Sequence, residues 1–145
     1  MRLSFAFVCF LFITNCSRNS VENENCQFLL NIGVNESVNL SFYPQLQFVS
    51  ETAYIPNIGN GGVVLINTTS GLAAFDAADP NHPFDTCSVL TIEGVIGKCN
   101  CEDKNEFSLL TGLPIENANS NETPPRCALR RYRVEQNGNT LLIFN

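Results

Sequence analysis

The chain has 145 residues, of which 44% are hydrophobic and 15% are charged, so it is long and apolar enough for one folded domain with a core. It carries 14 acidic residues against 8 lysines and arginines, and no basic run is continuous. This charge pattern argues against a nucleic-acid partner. The arginines that cluster near the end are interpreted as a solvated strand face: Arg126, Arg130, Arg131 and Arg133.

The first residues resemble a bacterial export signal. Arg2 supplies a positive charge, and the apolar run over residues 3–13 is too short to span a bilayer. The residues before Cys16 resemble a lipobox, the motif whose cysteine is diacylated and becomes the first residue of the mature chain. The alternative is an ordinary signal peptide that is cleaved near Asn15 or Ser17.

This interpretation divides the chain into three parts. Residues 1–15 form a lipoprotein-type signal peptide, residues 16–25 a polar tether, and residues 26–145 the folded domain. Lipid at Cys16 would hold the domain on a membrane without spanning it. We therefore expect an exported, membrane-anchored lipoprotein of the bacterial cell envelope, on its periplasmic or surface side.

The folded part consists of short strand patterns separated by turns, and it shows no sustained 3.6-residue apolar period. Alternating apolar residues over 34–42 predict a half-buried strand, and the apolar run 63–66 predicts a fully buried one. Asn137-Gly138 predicts a β-hairpin. Further strands are predicted at 46–48, 53–55, 72–75, 132–134 and 141–144. The sequence therefore predicts an all-β fold.

The cysteines also favour export. Of the seven, Cys9 lies in the predicted signal and Cys16 in the lipobox-like motif. The other five are expected to pair in an oxidising compartment, which leaves one thiol over. They are Cys26, Cys87, Cys99, Cys101 and Cys127.

One motif resembles a known family. Cys99-Asn100-Cys101-Glu102 is followed by Phe107, Thr111-Gly112 and Pro114. This pattern resembles the Rieske iron–sulfur domain, in which C-P-C-H is followed by F and T-G at comparable positions. The resemblance covers residues 72–144, about half of the chain. It implies a small antiparallel β-sandwich or barrel with a loop-rich subdomain like the one that binds the cluster.

Most ligands of a Rieske cluster are replaced by other residues in this chain. A Rieske cluster needs two cysteines and two histidines. At the first box, C-x-H, this chain has Asp79-Pro80-Asn81, with His82 one place late. At the second box, Cys99 is kept and Glu102 replaces the histidine. The resemblance therefore predicts a degenerate site with no cofactor; the alternative is a [2Fe–2S] cluster or other metal held by non-standard ligands, Cys99 and His82 among them.

The export signal favours the same conclusion. A preassembled cluster must cross the membrane in a folded protein, normally on a twin-arginine signal. Arg2 is a single arginine. A chain that is exported unfolded would leave a cluster behind.

The resemblance also implies a disulfide between Cys87 and Cys101, which would brace the two loops. Of the remaining cysteines, the resemblance places Cys99 on the loop that would bind the cluster and Cys127, beyond Pro124-Pro125, on the loop that would cover it. We therefore predict a Cys99–Cys127 bond with Cys26 free. The alternative is a Cys26–Cys127 bond with Cys99 free.

Two further metal sites are conceivable. One is a zinc site of His82, Cys87, Cys99 and Cys101, although disulfides are the better interpretation outside the cytoplasm. The other is a calcium site of loop acids, which are better interpreted as solvated: Asp76, Asp79, Glu102, Asp103 and Glu106.

The sequence contains no nucleophile–base pair, carboxylate pair or phosphate-binding glycine motif, so we do not expect an enzyme. The expected function is a binding or structural module of the cell envelope. Its partners would be the membrane, through the lipid anchor, and an unidentified envelope protein or surface ligand. The alternative is a [2Fe–2S] electron-transfer protein.

Overall fold

The computed structural model describes residues 26–116 and 127–145. The predicted signal peptide, the lipid attachment at Cys16, the tether and Pro124-Pro125 lie outside the described residues. The strands are β1 (Asn35–Asn39), β2 (Thr52–Ile55), β3 (Val63–Thr68), β4 (Gly71–Asp76), β5 (Thr91–Glu93), β6 (Ile96–Lys98), β7 (Glu106–Ser108), β8 (Arg131–Asn137) and β9 (Thr140–Phe144).

The strands form two sheets. The large sheet is curled and has the order β1-β9-β8-β4-β3-β2, and the small sheet has the order β5-β6-β7. Every pairing is antiparallel. The described residues contain no α-helix, and none of their helical turns is long or apolar enough to cross a membrane. The predicted all-β class is confirmed.

Strand β3 explains how the two sheets pack. Val63 and Leu65 point into a core on one side of the large sheet, and Val64 and Ile66 point into a second core on the other side. The second core also contains Phe107 and other residues of the small sheet and its loops. Both faces of β3 are therefore buried, which is why its sequence is continuously apolar rather than alternating.

The hairpin predicted at Asn137-Gly138 is confirmed, because β8 and β9 pair from Asn137–Thr140 onward. The strand predicted over residues 34–42 is too long. β1 ends at Asn39, whose side chain accepts a hydrogen bond from the Ser41 N–H at 2.9 Å and starts a 3₁₀ turn. The strand predicted at 46–48 is wrong, since Pro44–Gln47 is a second 3₁₀ turn. In both places a polar cap or a proline outweighs the apolar alternation.

Candidate functional site

Two loops lie side by side at one end of the small sheet. The first site loop, residues 77–90, connects β4 to β5, and the second site loop, residues 99–105, connects β6 to β7. The Asn100 N–H donates to the Cys87 carbonyl at 3.0 Å, and a disulfide joins Cys87 to Cys101. The pairing that the resemblance implied for these two cysteines is confirmed. The bond fixes the relative position of the two loops.

The first site loop is organised around Asp79, which is fully buried. Its Oδ1 atom accepts hydrogen bonds from the backbone N–H and the side-chain amide of Asn81, both at 2.8 Å. The Asn81 Oδ1 atom accepts in turn from the Cys127 N–H at 2.9 Å. Both residues at the Rieske-like first box therefore stabilise the loop and its contact with Cys127.

His82 and Cys99 bring the two site loops together. The His82 Nε2 atom lies 3.4 Å from the Cys99 Sγ atom and 3.5 Å from the Asp79 Oδ2 atom. The other ring nitrogen, Nδ1, lies 3.0 Å from the Pro83 carbonyl oxygen. Because a carbonyl oxygen only accepts hydrogen bonds, Nδ1 carries the proton of this bond. The Nε2 atom therefore faces the thiol and the carboxylate.

Asp103 and Asn105 complete the cluster from the second site loop. The Asp103 Oδ2 atom lies 3.7 Å from His82 Nε2. The Asn105 side-chain amide donates to Asp79 Oδ2 at 2.8 Å and to Asp103 Oδ2 at 2.7 Å. Sequence reasoning did not identify Asn105, because an asparagine in an acidic loop gives no local signal of a partner 26 residues away.

Glu102 does not join this cluster. It is exposed, and neither of the potential ligand groups found among the described residues includes it. The expectation that the loop acids are solvated is wrong for Asp76 and Asp79, which are fully buried and hydrogen-bonded. The calcium site considered from the sequence is not formed by its five acidic residues, because one of them, Asp76, belongs to a separate hydrogen-bond network with Tyr132.

Cys99 is 2% exposed and belongs to the second core. Burial raises the pKa of its thiol to about 12, and the nearby carboxylates of Asp79 and Asp103 add to the increase. The metal-free thiol is therefore protonated at neutral pH. It does not have the reactivity of a catalytic cysteine.

The predicted Cys99–Cys127 bond is wrong. Cys127 is bonded to Cys26, so the alternative pairing is the one observed, and among the described residues Cys99 rather than Cys26 is free. The chain after Cys26 lies against Arg130, whose guanidinium donates to the Leu29 and Leu30 carbonyls. That packing brings Cys26 to Cys127. The zinc site considered from the sequence, which combined His82 with three cysteines, is also wrong, because Cys87 and Cys101 are bonded to each other.

The resemblance assigns the four ligands of a Rieske [2Fe–2S] cluster to the positions of Asp79, Asn81, Cys99 and Glu102. The cluster needs two thiolates and two imidazoles, and the chain has one histidine. Asn81 uses its side chain to bind Cys127 and Asp79, and Glu102 points into solvent. Of the four positions, only Cys99 offers a cluster ligand, and His82 offers one imidazole beside it.

No protein-family model and no curated protein matches the chain. Among solved structures, it is similar to the ferredoxin of carbazole 1,9a-dioxygenase from Nocardioides aromaticivorans IC177, with a TM-score of 0.47 and 12% identity over 77% of this chain and 97% of that chain. It is also similar to a complex of reduced oxygenase and oxidized ferredoxin in carbazole 1,9a-dioxygenase, with a TM-score of 0.44 and 14% identity over 66% of this chain and 82% of that chain. Both TM-scores are below 0.5, so neither similarity assigns a function or a cofactor to this chain.

Proposed function

We propose that the chain is an exported, lipid-anchored Rieske-like domain without a functional iron–sulfur cluster, which acts as a binding or structural module of the bacterial cell envelope. The site loops support the Rieske-like part. They lie side by side, a disulfide braces them, and the second leads into the Phe107 strand and the Thr111-Gly112 turn.

One observation supports the proposed absence of a cluster. Asn81, at the position of a ligand histidine, binds Asp79 and the backbone of Cys127 through its side-chain amide. A neutral amide is a poor iron ligand, and its hydrogen bonds here stabilise the fold. At the position of a Rieske ligand, Asn81 therefore attaches the first site loop to the segment that begins at Cys127.

The disulfides support the envelope location. Two bonds, Cys26–Cys127 and Cys87–Cys101, are formed within the described residues. Such bonds persist in the periplasm and outside the cell and are rare in a reducing cytosol. They fit the export signal proposed for residues 1–15.

An electron-transfer protein is the second candidate. It is favoured by the 3.4 Å approach of His82 Nε2 to Cys99 Sγ, which leaves one imidazole and one thiol side by side. Metal and sulfide analysis separates the two candidates. We expect the full chain, expressed with its own signal and purified in detergent, to be colourless and to contain no stoichiometric iron or sulfide. A red-brown protein with equimolar iron and sulfide would establish the second candidate.

The lipid anchor needs its own experiment. Two acyl chains hold a protein on a membrane, whereas a single chain gives only marginal binding. We expect Cys16→Ala to abolish lipidation, so that the protein leaves the detergent phase or stays unprocessed. Cys9→Ala is the matched control, because Cys9 lies inside the proposed signal, and it should behave as wild type. An unmodified N-terminus found by mass spectrometry at Ser17 would instead support the ordinary signal peptide.

A further inference from the structure

Four side chains from the two site loops form a group that can bind a metal ion. The ligand atoms of Asp79, His82, Cys99 and Asp103 all lie within 4.8 Å of one another. From this group we infer a mononuclear site for a zinc-like divalent cation, which joins the two site loops where a Rieske protein would hold its cluster. The inference goes beyond the proposed function, which excludes an iron–sulfur cluster and assigns no other metal to the site.

The distances around His82 Nε2 fit a tetrahedral site. Zinc bonds of about 2.0–2.3 Å to nitrogen, oxygen and sulfur give ligand–ligand distances of about 3.4–3.6 Å in a tetrahedron. The observed distances from Nε2 are 3.4 Å to Cys99 Sγ, 3.5 Å to Asp79 Oδ2 and 3.7 Å to Asp103 Oδ2. The other pairs of ligand atoms lie within 4.8 Å of one another, so side-chain movements would bring all four atoms around one ion.

The surrounding hydrogen bonds orient the ligand atoms toward this position. Asn105 donates to the Oδ2 atoms of both Asp79 and Asp103, at 2.8 and 2.7 Å. The Pro83 carbonyl accepts from His82 Nδ1, which leaves Nε2 to bind the ion. Metal-binding histidines and carboxylates in proteins are held in the same way by outer hydrogen bonds.

The ligand types select the class of metal. On binding the ion, the Cys99 thiol would release its proton to solvent and bind as a thiolate. A thiolate and an imidazole favour zinc and similar borderline ions over calcium and magnesium, which prefer oxygen alone. Four protein ligands would leave no open position, as in structural rather than catalytic zinc sites. Asp79 and Cys99 are buried, whereas the side chains of His82 and Asp103 are 22% and 39% exposed. The two exposed ligands give the ion a path from solvent.

The experiment uses the full chain, purified in detergent and stripped of metal with a chelator. Zinc is added, and the bound metal is counted after dialysis. Cobalt is then bound as a spectroscopic probe. We expect one zinc per chain, and in the cobalt form a thiolate-to-cobalt charge-transfer band with the intense visible bands of four-coordinate cobalt.

Variants test each ligand. His82→Gln and Asp103→Asn change partly exposed side chains, so the fold should survive, and zinc affinity should fall more than the roughly 10- to 100-fold expected for loss of an outer partner. Cys99→Ser should also abolish the charge-transfer band. Asn105→Ala should weaken binding about 10- to 100-fold and keep that band, because it removes a positioning residue and no ligand. Glu102→Gln, on the same loop, should bind as wild type.

The outcomes separate this inference from the proposed function. No stoichiometric zinc in the wild type, or unchanged affinity in His82→Gln, would overturn the metal site and leave the cluster-free domain standing. Loss of zinc in Glu102→Gln would also overturn it, since the ion would then be bound elsewhere. Iron with sulfide would overturn the proposed function instead.

Discussion

The side chain of Asp76 is a buried carboxylate that is stabilised by the hydrogen-bond donors around it. Its Oδ2 atom accepts from the Tyr132 hydroxyl at 2.7 Å and from the backbone and side chain of Asn60. Its Oδ1 atom accepts from the N–H groups of Gly61 and Ala78. A buried charge without such bonds would be strongly destabilising. This network therefore fixes the end of β4, where the first site loop begins.

We expect Tyr132→Phe to lower the free energy of unfolding by about 1.5–3 kcal/mol, because it removes a hydrogen bond to a charged, buried acceptor. Tyr54→Phe is the matched control. The Tyr54 hydroxyl donates to a neutral acceptor, the Gly61 carbonyl, at 2.9 Å, and its loss should cost about 0.5–1.5 kcal/mol. Denaturant unfolding of both variants measures the difference, and an equal loss in the two would contradict the role of the charge.

The same tyrosine should make stability depend on alkaline pH. Burial and the hydrogen bond to Asp76 raise the pKa of Tyr132 above its ordinary value. The folded protein therefore keeps a proton that the unfolded chain loses above about pH 10. The stabilisation is complete below that pH and is lost as the pH rises further. The difference in unfolding free energy between wild type and Tyr132→Phe should narrow above about pH 10, and a constant difference would contradict this assignment.

At the scale of elements, Gly112 connects the small sheet to the large one. Its N–H donates to the Ser108 carbonyl at 2.7 Å, and its carbonyl accepts from the Leu129 N–H at 2.8 Å. Its φ of +77° is in the left-handed region, and a Cβ atom at this position would lie 2.5 Å from the Phe75 ring. This glycine of the Thr111-Gly112 motif is thus required by packing against β4 rather than by a ligand.

We expect Gly112→Ala to destabilise the protein more than Gly138→Ala. Gly138 also has positive φ, +59°, but a Cβ atom there would meet nothing within 4 Å. Gly138→Ala should therefore cost only the left-handed backbone penalty, about 1–2 kcal/mol. Gly112→Ala adds an overlap with a buried aromatic ring, which costs about 1–3 kcal/mol more. Thermal unfolding of both variants is the measurement, and equal losses would show that Phe75 moves aside freely.

Across the whole molecule, the sequence correctly predicted those elements that depend on residues close together in the chain. The Asn137-Gly138 hairpin and the buried strand β3 are of this kind. The 3₁₀ turn after Asn39 was missed because its apolar residues alternate as a strand would. For the site, the motif resemblance placed Asp79 and Cys99 on neighbouring loops. The contacts of Asn105 and the partner of Cys127 depend on distant chain segments, which no local pattern encodes.

The Cys26–Cys127 disulfide should contribute more stability than any other covalent link among the described residues. It joins cysteines 101 positions apart, whereas Cys87 and Cys101 are 14 positions apart. In the loop-entropy description, a bond that closes about 100 residues stabilises by about 4.7 kcal/mol and one that closes about 15 residues by about 3 kcal/mol. The difference arises in the unfolded chain, whose freedom the longer loop restricts more.

We therefore expect the double variant Cys26→Ala/Cys127→Ala to lose about 1–2 kcal/mol more unfolding free energy than Cys87→Ala/Cys101→Ala. Each variant controls for the other, because both remove one disulfide and both leave Cys99 unchanged. Denaturant unfolding under non-reducing conditions measures the two losses. An equal or larger loss from the short-loop pair would contradict the entropic explanation, and would mean that the bond between the site loops stabilises the folded state itself, by holding Asp79 and Asn105 in contact.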